Sequence, residues 1–128
     1  MATKRITFDP TSGVPYGVNL TIYGGTDFSA TFNVKTTSSA AFDLTSYTGS
    51  AAISKSVAVG ATLGITTSFT VGFTSAFDGT MNLSLTDTQT RNLTEGRYVY
   101  DVLVTLGSTT YPLARGNVYV YNPVSSWP

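Results

Sequence analysis

The stretch Leu93-Thr94-Glu95-Gly96-Arg97-Tyr98-Val99-Tyr100-Asp101-Val102-Leu103-Val104 carries two superimposed patterns. Tyr98, Tyr100, Val102 and Val104 recur at every second position, which puts them on one face of a β-strand. Val99 and Leu103 make the other face partly apolar as well, the mark of a strand with neighbours on both sides, so this segment is expected to lie centrally in its sheet. The second pattern is the frame L-x-x-G-x-Y-x-Y, in which Leu93 and Gly96 lead into the strand and Tyr98 stands near its start.

The same period of two repeats on either side. Val18, Leu20 and Ile22 alternate with Asn19, Thr21 and Tyr23 before Gly24-Gly25 breaks the run, and Phe28, Ala30, Phe32 and Val34 alternate with Ser29, Thr31 and Asn33. Tyr47, Gly49, Ala51 and Ile53 predict a third strand, after which Ser56 to Gly64 reads as a loose connection. Ile65 opens a fourth, with Phe69, Val71 and Phe73 inward, and Asp78-Gly79 turns it back into Met81, Leu83 and Leu85 as a hairpin. Between Thr86 and Leu93 the placing of Asp87 and Gln89 behind a threonine predicts one capped helical turn crossing between sheets. Tyr111, Leu113, Val118 and Val120 form the last strand, where the change of parity around Arg115-Gly116 predicts a bulge.

Short strands with turn signals roughly every 8 to 15 residues, and no helix of normal length, predict an all-β sandwich or barrel. The tyrosine frame makes the prediction more specific. In immunoglobulin-type domains a Tyr at the start of the sixth strand hydrogen-bonds back across the preceding corner. Tyr98 is the candidate for this structural corner, and Tyr100 takes the place that antibody domains give to a cysteine. The expected fold is an immunoglobulin-like antiparallel β-sandwich of about seven strands, spanning residues 18–122. Pro10, Gly13, Pro15 and Gly17 predict an extended N-terminal arm over residues 1–17, with an extra edge strand on its own domain as the alternative, and Pro123 and Pro128 a non-sheet C-terminal tail over residues 123–128.

Composition narrows the function. Charged residues are 11% of 128, against about 25% in ordinary soluble chains, and roughly three residues in ten are Ser or Thr. Seven basic and seven acidic side chains give a net charge of zero, so no summed field draws the chain to nucleic acid or to an anionic membrane, and association with other proteins is favoured. Neither cysteine nor histidine occurs, which excludes disulfides, thiolate metal sites, Cys nucleophiles and every His-dependent triad. The first residues, Met-Ala-Thr-Lys-Arg, lead into no apolar h-region, so the chain reads as one made in the cytoplasm without a cleavable export signal.

Asp9, Asp27, Asp43, Asp78, Asp87, Glu95 and Asp101 show no spacing of a metal loop or phosphate cradle, and their expected roles are turns, caps and solvated faces. No catalytic, cofactor-binding or metal-binding residue is expected, and no small-molecule substrate. Three N-x-S/T sequons at Asn19, Asn82 and Asn92 are what chance supplies in a Thr-rich chain. The tyrosines could instead form a stacking platform for a sugar, which keeps a carbohydrate-binding module as an alternative of another class.

The runs Gly25-Thr26-Asp27-Phe28, Phe42-Asp43-Leu44-Thr45-Ser46-Tyr47, Ala51-Ala52-Ile53-Ser54-Lys55-Ser56 and Leu93 through Val102 resemble the short virion structural proteins of tailed phages, of the cyanophage type, and the N-terminal immunoglobulin-like domain of phage baseplate upper proteins. The resemblance implies a non-enzymatic component of the virion tail, neck or baseplate, without cofactor, which binds other virion proteins and copies of itself through its termini and sheet edges. Capsid decoration is the alternative within that class. Ile6, Phe8, Val14 and Tyr16 in the arm, Tyr119 and Tyr121 on the opposite parity to Val118 and Val120, and Trp127 in the tail are the expected interface residues.

Overall fold

The computed structural model describes residues 2–10, 13–55 and 65–121. Among the described residues ten strands build two sheets: β1 (Ala2–Thr7), β2 (Tyr16–Gly17), β3 (Leu20–Tyr23), β4 (Phe28–Lys35), β5 (Thr48–Lys55), β6 (Ile65–Ser68), β7 (Thr70–Ser75), β8 (Thr80–Leu85), β9 (Gly96–Leu106) and β10 (Thr109–Tyr121). One sheet runs β1-β4-β8-β7. The other runs β2-β10-β9-β5-β6, with β3 following β2 along the same edge of β10. Matched to the A-B-E-D and G-F-C sheets of immunoglobulin domains, β4, β8 and β7 stand as B, E and D, and β10, β9 and β5 as G, F and C. The fold is an immunoglobulin-like sandwich, and β9 lies between β5 and β10 as its two-sided pattern requires.

Phe28, Phe32, Ile53, Met81, Leu83, Tyr100 and Val102 all enter one continuous core. In β4 the alternation is complete, Phe28, Ala30, Phe32 and Val34 buried and the residues between them half-buried. The run from Ile65 to Ser75, read from sequence as one strand, is two. β6 pairs with β5 in one sheet and β7 with β8 in the other. Phe69 sits at the crossing: its N–H donates to the Ala51 carbonyl at 2.9 Å, and its ring meets Phe28 of one sheet and Tyr100 of the other. The bulge in β10 falls between Pro112 and Ala114, not at Arg115-Gly116, because Leu113 and Ala114 are consecutive and both fully buried.

The helical turn is α1 (Asp87–Arg91), with Thr86 accepting from the Gln89 N–H and the Gln89 side chain accepting from the Thr86 N–H. This capping box satisfies two donors that a helix start leaves bare. Thr90, buried at its far end, donates to the Thr26 carbonyl at 2.7 Å, and Asp27 accepts from the Asp87 N–H at 2.8 Å. The turn is thereby tied to the β3–β4 connection.

The N-terminal arm is the main departure from the sequence reading. Ala2–Thr7 joins the first sheet as a parallel edge strand on β4, in register from Ala2 opposite Ala30 to Thr7 opposite Lys35. The Phe8 N–H extends the ladder by donating to the Lys35 carbonyl at 2.9 Å. Ile6 is 0% and Phe8 3% exposed. The Phe8 ring lies 4.9 Å from that of Phe42 and 6.1 Å from that of Tyr111, so it closes one end of the sandwich. Ile6 and Phe8 are core residues of their own domain and are not interface residues.

Candidate interaction surface

The carboxylates occupy turns, a cap and one sheet face. Asp43 accepts from the Thr45 N–H at 2.9 Å, and hydrogen bonds from Thr45 hold its carboxyl below the usual value. Asp78 accepts from the Ser75 hydroxyl, and Asp87 sits in the first turn of α1, 3.9 Å from Arg91. Among the described residues no three carboxylates come together as a metal site would need, and no helix is long and apolar enough to cross a membrane. Asn19 and Asn82 spend their side chains within the fold, Asn19 accepting from the Asn117 N–H and Asn82 donating to Ser29.

Tyr98 is 2% exposed, and its hydroxyl donates to the Thr94 carbonyl at 2.7 Å, the bond of a tyrosine corner. Lys55 lies over the ring, its Nζ 4.9 Å from the centroid. Tyr100 passes over Gly116, its partner on β10, and donates to the Val18 carbonyl one strand further on at 2.7 Å. Burial pushes the Tyr100 phenol well above its ordinary value. Gly116 is required there, because a Cβ would stand 2.0 Å from the Val18 carbonyl oxygen.

Of the remaining expected interface residues, Val14 is 70% exposed, Tyr16 and Tyr121 are exposed, and Tyr119 is half-buried on the outward row of β10. Trp127 lies outside the described residues. The structure adds what sequence reading missed. Tyr23, 58% exposed, stands beside Tyr121 with ring centroids 5.8 Å apart, because β3 pairs in parallel with β10 and brings the two into register. Its outward parity after Leu20 and Ile22 was the available signal. Phe77, 74% exposed, caps the β7–β8 hairpin. Across the middle of the larger sheet, the outer side of β5, β9, β10 and β2 forms a shallow groove of about 810 Å³ floored by small and apolar residues, among them Ala52, Val99, Leu103 and Pro112.

No protein-family model matches the chain, and no curated protein matches it. Among solved structures, the N-terminal domain of phage TP901-1 ORF48 superposes with a TM-score of 0.55 at 12% identity, covering 94% of this chain and 98% of that one. The chain shares the fold of a phage protein's N-terminal domain. Neither partner begins or ends far outside the other, so the likeness extends to the whole sandwich and not to a single sheet.

Proposed function

We propose that this chain is a non-enzymatic structural component of a tailed-phage virion, part of its tail, neck or baseplate, that binds neighbouring virion proteins through exposed surfaces and sheet edges. The observation that carries the reading is the fold shared, over nearly the full length of both chains, with a domain of a phage protein. The chemistry of the chain supports it: a sandwich without histidine or cysteine offers neither poised base nor thiolate, whereas exposed aromatics at Tyr23, Tyr121 and Phe77 are the residue types that interfaces favour.

The test is immunogold labelling of purified particles with antibody raised against the chain, with mass spectrometry of the same particles. Label on the tail or baseplate is the expected result. Label spread over the head assigns the chain to capsid decoration, and its absence from particles refutes the virion reading. The side-by-side rings of Tyr23 and Tyr121 favour a second reading, a carbohydrate-binding module that stacks sugar on them. A glycan array separates the two: binding abolished by Tyr23→Ala would support the module.

A further inference from the structure

The outer face of β9 and β10 is complementary to itself. Its strand register sets four residues of β9 beside four of β10: Arg97 beside Tyr119, Val99 beside Asn117, Asp101 beside Arg115, and Leu103 beside Pro112. All eight are half-buried or exposed on the outward parity, and the three rows from Val99–Asn117 to Leu103–Pro112 cross the groove described above. Asp101 and Arg115 are register partners on neighbouring strands, yet their side chains form no ion pair. A salt bridge does form elsewhere, between Arg91 and Asp87.

We propose that two copies of this chain stack through this face, about a two-fold axis that runs along the strands between β9 and β10. Such a rotation carries the position of β9 in one copy over β10 in the other, so each register pair becomes two intermolecular contacts, as an isologous interface demands. Asp101 meets Arg115 of the second copy, and Arg115 meets its Asp101. Arg97 comes over the Tyr119 ring of the second copy, where a guanidinium is attracted by the face of an aromatic. Leu103 packs on Pro112. A two-fold axis perpendicular to the strands would instead lay Asp101 on Asp101, so the charges select one arrangement.

The occupant is a second copy because the acid and the base are already each other's image across that axis. Packed sheets lie about 10 Å apart, a gap that an arginine and an aspartate fill end to end. The small side chains of Ser50, Ala52 and Ser54 on β5 leave room for the approach. A neutral chain with 11% charged residues offers little net repulsion against it. The dimer is independent of any site on a particle, so its test and that of the virion reading fail separately.

Sedimentation velocity of the purified full chain, from low micromolar to near-millimolar concentration, provides the test. The wild type is expected to dimerise. Asp101→Arg and Arg115→Asp should each weaken association at least tenfold, and the double variant Asp101→Arg/Arg115→Asp should restore it, with thermal unfolding confirming that every variant is folded. A chain that stays monomeric throughout overturns the proposal and leaves the face to a different partner. So does a dimer that both single reversals leave intact, or one that the double reversal fails to restore.

Discussion

Replacing Gly116 by alanine should be among the most damaging single-methyl changes in this domain. The new Cβ would stand 2.0 Å from the Val18 carbonyl oxygen, 2.7 Å from its carbon and 3.0 Å from the Asn19 Oδ1. These are mostly backbone atoms, so the β2–β3 edge must move away from β10 by more than an ångström. Three bonds anchor that edge here: Val18 N–H to the Arg115 carbonyl at 2.9 Å, Asn117 N–H to Asn19 at 3.0 Å, and the Tyr100 hydroxyl to the Val18 carbonyl at 2.7 Å. Losing the last leaves a buried phenol unpaired, at about 1–3 kcal/mol, and weakening the other two adds about 0.5–1.5 kcal/mol each. The expected loss is about 2–6 kcal/mol, a large share of the ~5–15 kcal/mol that holds a domain together. Urea unfolding of Gly116→Ala against Gly72→Ala, whose added Cβ meets nothing within 4 Å, measures it. In a Tyr100→Phe background the cost of Gly116→Ala should fall, because the shared hydrogen bond is already gone. A Gly116→Ala variant within about 1 kcal/mol of wild type, or one whose cost is unchanged by Tyr100→Phe, would refute the reasoning.

Tyr98→Phe should cost about 1–3 kcal/mol in the same assay by leaving the Thr94 carbonyl without its donor, and no loss would mean that the corner contributes nothing. The buried Tyr100 phenol is raised in the folded state, so the unfolded chain ionises it first, near pH 10. Its contribution is complete below that pH and lost as the pH rises, at no more than about 1.4 kcal/mol per unit. Burial, with lesser contributions from Tyr111 and Asp43, raises Tyr47 in the same direction, and Tyr100→Phe should flatten the alkaline slope without removing it. Deleting residues 1–8 uncovers the β4 edge and removes Ile6 and Phe8 from the core, each worth about 1.5–3 kcal/mol, so the truncated chain should melt far lower or fail to fold. A truncated chain as stable as the full one would return these residues to the role of a free arm.

The sequence is legible where one rule acts alone. Phe28 to Val34 alternates without interruption, and the structure pairs and buries it accordingly. Thr86 and Gln89 form their capping box because its two bonds are local. Three features were not read from the pattern. The breakers Pro10, Gly13, Pro15 and Gly17 all lie beyond β1, and Ile6 and Phe8, with polar Thr7 between them, already carried a short strand signal. At Phe69 an unbroken period of two conceals a change of sheet, since only the positions of β5 and β8 decide where each half pairs. The complementary face exists only once β9 and β10 are in register, so neither strand shows it by itself.

Both ends of the described chain lie in parallel ladders, β1 on β4 and β3 on β10. A pull that separates the two ends draws β1 and β3 backward from their starts while β4 and β10 are drawn forward from their finishes. The strands are then asked to slide along one another, not to peel apart. All six register pairs of β1 with β4 share the load at once, as do the four of β3 with β10, so no single hydrogen bond can be picked off first. Stretched between its ends, the sandwich is built to hold tension until whole ladders give way together.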